Sequence, residues 1–515
     1  MLKSSGSMAA ATLVSRLLGM VREMVYANFM GDTRVAGAFK LAFTIPNLFR
    51  RLLGEGALTA AFVPIFKEKE KTRGEIEMWR AANAVISGLV VAAAAIIGVV
   101  MLGLSIALAV HQFNESTELM LRLLRVMFPY MLLVCLAAAF MGMLNARGHF
   151  FIPAMSATML NVVMIASVLW LAPKMGHELR EQIFALAIGV LAAGVAQAAF
   201  QLPTLWHDGF RYQWVSPWQN ETVRLVVTRM IPATIGVAAF QINVLLTQTI
   251  AFYVDPQINA SFDYAVRLME LPQGMFGISL ATFLLPTLAG LAAEKNFGEF
   301  RVTLRHGLGT LLLVNLIAAL LLVVLAEPII RLLFEHGKFT AYSTQRATLA
   351  LQCLAPGLVA FSTVNILVRA FFALGDTKTP MQISIACLVL NLGLAVLFIG
   401  PLRQGGLGLA NTITSIGNAS LLLYALRKKL GKLEMEPLHA TFLPLAIAGI
   451  LGGLTAWGGG RFWEHALGHQ TLTLKIGEVF APAILAGLIY GIAALAFKIP
   501  AAKEMAEFAL ARFKR

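Results

Sequence analysis

The sequence is poor in charge, in acids and in cysteine. Asp, Glu, Lys and Arg make up 13% of 515 residues, about half the ~25% of a soluble domain. Hydrophobic residues make up 58%, and the mean hydropathy is +0.76. This balance excludes a disordered chain, a collagen-like fibre and an ordinary cytosolic enzyme. The three cysteines, Cys135, Cys353 and Cys387, lie in apolar stretches, so neither a disulfide framework nor a metal site is implied. No G-x-x-x-x-G-K-[ST] phosphate loop occurs, and no connecting segment has room for an ATPase or other soluble catalytic domain. The apolar start at Met8 is broken by Arg16 and Arg22, which does not fit the h-region of a cleaved signal peptide.

What the chain has is long apolar runs. A spanning helix needs about 20 apolar residues. Twelve stretches lack Asp, Glu, Lys and Arg: 81–114, 126–146, 148–173, 182–207, 230–254, 271–293, 306–326, 347–368, 379–402, 404–426, 437–460 and 479–497. Two more, about 8–30 and 34–66, are long enough but carry charge. The expectation is an all-α polytopic membrane protein of 14 transmembrane helices. With the N-terminus cytoplasmic, 22 basic residues fall in cytoplasmic segments. Only six face the other side: Arg34, Lys174, Arg180, Lys338, Arg403 and Arg461. The positive-inside rule then places both termini in the cytoplasm. Topology thus absorbs most of the +14 net charge, and no nucleic-acid partner is needed.

A repeat is visible. Ala146-Arg147-Gly148 is followed by Pro153, and Ala373-Leu374-Gly375 by Pro380, 227 residues later. Both turns end one apolar helix and begin the next, with Gly suited to a C-cap and Pro to a first turn. Pro46 and Pro64 in the second helix have approximate counterparts in Pro272 and Pro286. The predicted organisation is an N-terminal lobe at 1–206 (helices 1–6) and a C-terminal lobe at 207–430 (helices 7–12). A helix pair with an amphipathic cytoplasmic tail follows at 431–515. The two six-helix lobes are pseudo-symmetric about an axis along the membrane normal.

Charge inside a span costs about 2.5–3.5 kcal/mol by insertion scales and normally faces a cavity or a partner. Here it is concentrated in three helices. The first has Arg16, Arg22 and Glu23. The second has Lys40, Arg50, Arg51 and Glu55 around Pro46-Asn47. The eighth has Asp263, Arg267 and Glu270, spaced so that the arginine can pair on either side. Arg16 and Glu23 share a helix face, and Arg51 and Glu55 form an i,i+4 pair. Arginine exceeds acid in this set, so the expected feature is a central cationic cavity for an anion, phosphate or carboxylate. A purely structural role, the ion pairs locking the lobes together, is the alternative. Arg122, Arg125, Arg229, Arg331 and Lys475, near helix ends, read as interfacial. His149 and His336 sit in loops and are not read as ligands.

The same residues carry a resemblance. The chain resembles the MurJ/MviN lipid II flippases of the multidrug/oligosaccharidyl-lipid/polysaccharide exporter superfamily along essentially its whole length. The matching stretches are Ser15-Arg16-Leu17-Leu18-Gly19 with Arg22; Pro46-Asn47-Leu48-Phe49-Arg50-Arg51 through Glu55-Gly56-Ala57 and Ala61-Phe62-Val63-Pro64; Arg267-Leu268-Met269-Glu270-Leu271-Pro272; Gly337-Lys338-Phe339-Thr340; and Arg369-Ala370-Phe371-Phe372-Ala373 through Asp376-Thr377-Lys378-Thr379-Pro380. The resemblance implies movement of undecaprenyl-diphosphate disaccharide-pentapeptide from the cytoplasmic to the periplasmic leaflet of the bacterial inner membrane by alternating access. It implies Arg16, Arg22, Arg50 and Arg267, with Ser15 and Asn47, as substrate-binding residues. Glu55, Glu270, Arg51, Asp263 and Lys40 would be gating or ion-pair partners, and Arg147, Gly148, Asp376, Lys378 and Pro380 cytoplasmic loop motifs. No cofactor or metal is expected. Coupling to membrane potential or a monovalent cation stays open, as do membrane phospholipids and the cell-wall synthesis or division machinery as partners.

Two departures stand out. Many members have an acid where this chain has Gly37. Some relatives place sodium among helices 7, 11 and 12 with carboxylates, where this chain offers Gln241, Asn243, Asn391, Asn411 and Asn418. A flippase for another polyprenyl-diphosphate-linked glycan, a drug exporter, a membrane-embedded glycosyltransferase and an assembly scaffold are the competing classes. A drug-cation cavity should carry net acid, and a glycosyltransferase should show a large exterior loop or paired carboxylates.

Overall fold

The computed structural model describes residues 2–52, 59–434 and 436–513, and among these every regular element is helical. The chain divides into two compact units, Met1–Ala260 and Ser261–Arg515. Among the described residues, ten helices are long and apolar enough to cross a membrane, or eleven if one bent pair counts as a single span. The other three of the fourteen expected segments, the first, second and seventh, are helical where described but do not meet that test.

The first unit contains α1 (Leu2–Met30), α2 (Arg34–Phe49), α3 (Thr59–Val110), α4 (Glu115–Met127), α5 (Tyr130–Ala146), α6 (Phe151–Ala166), α7 (Leu179–His207) and α8 (Glu221–Val254). α3 is two helices merged across a break at Gly74, whose φ is +82°. α4 and α5 bend by 44° at Phe128-Pro129. One core joins α1, α2, α4, α5 and α7 through Tyr26, Phe39, Met127, Tyr130 and Val190. A second gathers Phe62, Phe66, Trp79, Phe140 and Phe210. Buried amides supply what apolar packing cannot. Gln201 Nε2 donates to the Ala137 carbonyl at 3.0 Å and to Ser156 Oγ at 3.2 Å, so α5, α6 and α7 are pinned together in a medium that offers no water.

Within the first unit α8 is bonded to α2: Thr44 Oγ1 donates to Gln248 Oε1 at 2.7 Å, and Arg51 NH1 to Gln241 Oε1 at 3.4 Å. Gly37 explains why α2 carries no side chain at its own crossing. A Cβ there would run into the backbone carbonyl of Pro256. The absence of an acid at Gly37 therefore goes with a close backbone approach. Gly37→Ala is expected to destabilise the protein by about 1–3 kcal/mol through overpacking, read as a lower melting temperature in detergent. Gly37→Asp should be worse.

α9 (Pro256–Pro272) crosses the boundary. The second unit continues with α10 (Ser279–Ala293), α11 (Phe297–Val324), α12 (Ala326–Phe334), α13 (Ala341–Leu354), α14 (Leu358–Ala373), α15 (Lys378–Leu402), α16 (Gln404–Leu430), α17 (Glu436–Ala466), α18 (Leu472–Ala496) and α19 (Pro500–Phe513). After Pro272 the helix widens into a π segment over Gln273–Ile278. Its loosened carbonyls are used: Ser279 Oγ donates to Gly274 O at 3.2 Å, and Arg369 NH1 to Ile278 O at 3.2 Å. Leu288, Phe300, Leu308, Ile366, Phe371 and Leu422 form the main core of this unit. α17 and α18 pack on α11 through Leu313, Leu445, Ala448 and Tyr490.

The repeated turns have the same backbone. Gly148 and Gly375 both adopt left-handed φ, +89° and +72°. His149 N–H reaches Leu144 O at 2.9 Å, and Asp376 N–H reaches Phe371 O at 2.9 Å. Each is a six-to-one helix closure that needs glycine for its positive φ.

Candidate functional site

In the first unit Arg22 and Glu23 of α1 meet Asn161 of α6. Arg22 NH1 donates to Asn161 Oδ1 at 3.0 Å, NH2 to Glu23 Oε1 at 2.5 Å, and the guanidinium lies 5.5 Å from the Tyr26 ring centroid. Asn161 Nδ2 in turn donates to the Ser15 carbonyl at 3.1 Å. Glu23 is buried at 3% exposure and Asn161 at 6%. A guanidinium held by an amide, a carboxylate and an aromatic face is oriented before any ligand arrives, as electrostatic recognition requires. Glu23, expected on a face shared with Arg16, is the partner of Arg22. Arg16, partly buried, has no ion pair among the described residues.

On α2, Arg50 Nε donates to Asn47 Oδ1 at 2.8 Å. Lys40 is buried at 8% exposure and reaches the Ala260 carbonyl at 3.4 Å. Glu55, the expected partner of Arg51, lies outside the described residues; among those described, Arg51 NH1 donates to Gln241 Oε1 at 3.4 Å. In the second unit Arg267 stands between Glu270 at 2.9 Å and Asp263 at 3.9 Å on one helix face.

The two repeated glycine turns hold ion pairs of their own. Arg147 NH1 contacts Glu70 at 2.6 Å and Glu75 at 2.8 Å, and His149 meets Asp208 at 3.0 Å. Asp376 receives Lys429 Nζ at 2.6 Å and the backbone N–H and hydroxyl of Thr379. Lys429 first, then the Thr379 N–H, hold the Asp376 carboxyl down at about 2. A depressed carboxyl contributes stability above its unfolded pKa, near 3.8, and loses it as pH falls through about 2. Asp376→Asn should therefore lower the melting temperature at pH 7, and the difference from the wild type should shrink between pH 4 and pH 2. Lys378 begins α15, with Pro380 buried in its first turn.

Sequence reasoning missed three features. Asn161 is a neutral amide in an apolar run, and only its position against α1 makes it a partner. Arg369, recognised as part of a motif, is tied to the π segment. Arg331, read as interfacial, is buried at 7% exposure; it bonds Glu478 at 2.8 Å and Glu327 at 2.5 Å, joining α12 to α18. Of the polar residues at the sodium positions, Gln241 accepts from Arg51 in the first unit, and Asn391 Nδ2 donates to Asn411 Oδ1 at 3.3 Å in the second.

Many helices apolar enough to cross a membrane, a repeated glycine turn and an oriented arginine in α1 fit a multi-pass membrane transporter fold. Its solved likenesses agree. "Lipid II flippase MurJ, inward closed conformation" aligns over 95% of this chain and 98% of that one, with a TM-score of 0.78 at 22% identity. An inward-facing multidrug resistance MATE family transporter of the MOP superfamily aligns over 84% and 99%, with a TM-score of 0.66 at 14% identity. The family model described as "Lipid II flippase MurJ" matches residues 26–476. "Probable lipid II flippase MurJ" of Haemophilus influenzae is 33% identical over 470 residues, covering 87% of this chain and 90% of that protein. "Lipid II flippase MurJ" of Burkholderia cenocepacia is 32% identical over 458 residues, covering 87% and 88%. The chain belongs to the MurJ family.

Proposed function

We propose that this protein carries lipid II from the cytoplasmic to the periplasmic leaflet of a bacterial inner membrane, as a transporter and not a catalyst. The substrate comes from the names of its relatives. The observation that carries the mechanism is Arg22, fixed by Asn161 and Glu23 inside the first unit. A diphosphate offers acceptor oxygens and negative charge that suit a guanidinium's planar fork. Arg16, Arg50 and Arg267 add cationic contacts for the same head group, with Ser15 and Asn47 beside them and Asp263, Glu270, Lys40 and Arg51 tuning the charge. Alternating exposure of these arginines to the two faces moves the head group while the polyprenyl tail stays in lipid.

The skew of basic residues favours N- and C-termini in the cytoplasm. The inward-negative membrane potential acts on each unneutralised charge with about 2.3 kcal/mol per 100 mV, enough to drive the reset step; a monovalent cation is the other coupling source. Membrane phospholipids, and beyond them the cell-wall synthesis or division machinery, are the partners this role entails. The test is complementation: a strain depleted of its resident lipid II flippase, supplied with this chain, should resume growth. Failure at normal membrane levels of protein transfers the reading to another polyprenyl-diphosphate-linked glycan.

A further inference from the structure

The second unit has a pocket that the transport reading does not use. It has a volume of about 230 Å³ and lies between the start of α11, the start of α17 and the turn into α19. Its walls are apolar, formed by Leu312, Phe442, Leu445 and Ile499, and its rim carries Arg305 and His306. Ile499 is buried at 3% exposure and Leu445 at 5%, so the floor is built and not a surface dent. Arg305 donates to the Glu434 carbonyl at 2.9 Å. Among the described residues no carboxylate lies within 4 Å of its guanidinium, which distinguishes it from Arg301, paired with Glu434 at 3.3 Å. His306 meets Glu504 of α19 at 3.1 Å, so the tail helix forms part of the rim.

The place in the fold selects the ligand. Helices α11 and α17 begin here and α18 has just ended, so the pocket sits at one end of the spans. Arg427, Lys428, Lys429, Lys432, Lys498 and Lys503 crowd the same end of the unit. A cation above an apolar slot at that level matches an amphiphile with an anionic head. The volume is below the ~300–1,000 Å³ of clefts that enclose a whole small molecule. It is sized for a glycerophosphate and the first carbons of one chain, the remainder lying in the bilayer.

We propose that this pocket binds an anionic glycerophospholipid, its phosphate on Arg305 and the upper part of an acyl chain on Leu312, Leu445 and Ile499. Occupancy would brace α19 against α11 and α17. The site is independent of the transport cargo and stands or falls separately from it.

The experiment is native mass spectrometry of the full chain in detergent, titrated with phosphatidylglycerol, phosphatidylcholine or a polyprenyl monophosphate. The wild type should retain phosphatidylglycerol over phosphatidylcholine. Arg305→Gln should lower that preference about fivefold, the factor that one basic residue near an anionic lipid contributes, and Arg305→Lys should keep most of it. Leu312→Trp, which fills the slot, should weaken phosphatidylglycerol binding with Arg305 intact, so the proposal remains testable if Arg305→Gln folds poorly. Lys475→Gln, at the start of α18 and so at the other end of that helix from the pocket, should change nothing. Equal retention of the two phospholipids, an unchanged preference in both Arg305→Gln and Leu312→Trp, or an equal loss in Lys475→Gln would overturn the assignment. So would an Arg305-dependent preference for the polyprenyl monophosphate.

Discussion

Arg22→Ala is expected to abolish lipid II flipping while the protein still inserts. The guanidinium makes two directed contacts, to Asn161 at 3.0 Å and to Glu23 at 2.5 Å. Losing a desolvated charge-assisted contact to the bound diphosphate costs about 2–5 kcal/mol, or a loss of about two orders of magnitude in transport. Arg22→Lys should recover little, because an ammonium keeps the charge but not the planar fork. Alanine also takes the guanidinium from a carboxylate at 3% exposure, so Arg22→Ala with Glu23→Gln separates transport from folding. The double variant should be better folded than Arg22→Ala and equally inactive. Flipping by either variant at the wild-type rate, at equal membrane abundance, removes Arg22 from the site.

Glu478→Ala is expected to be the most destabilising single change outside the site. Glu478 is 2% exposed and Arg331 7%, and their 2.8 Å bond fastens α18 to α12. Breaking a buried pair by deleting one partner typically costs about 3–5 kcal/mol, because a charge is left desolvated. Glu327, half exposed at 2.5 Å on the other guanidinium nitrogen, keeps the loss at the lower end. Arg331→Met with Glu478→Met should recover much of it, since two apolar side chains of similar volume need no compensation. Thermal unfolding in detergent gives the ranking: wild type and double variant close together, Glu478→Ala well below. A Glu478→Ala protein that melts with the wild type contradicts the argument.

The helices were legible because lipid leaves the backbone no partner but itself. Every apolar run found by scanning for missing charge is mostly helical, though 126–146 and 347–368 each span two helices. The charges inside those runs were legible for the same reason, since each is expensive. What was not legible depends on contacts distant in sequence. Arg331 looks interfacial until Glu478, 147 residues away, lies against it. Asn161 carries no charge to mark it in its run. Nothing in the apolar run of α8 says which helices it meets: Val226 packs it on α3, and its amides Gln241 and Gln248 bond it to α2. Gly37 reads as a missing acid until the Pro256 carbonyl occupies the space. Glu55 lies outside the described residues, so its pairing with Arg51 rests on spacing alone.

The most direct test is the exposure of lipid II itself. In cells depleted of their resident flippase and expressing this chain, an enzyme that cleaves lipid II is added from outside and the cleaved fraction is measured. The account predicts cleavage with the wild-type chain and background cleavage with Arg22→Ala at matched protein levels. Equal cleavage with both, or background cleavage with the wild type, contradicts it.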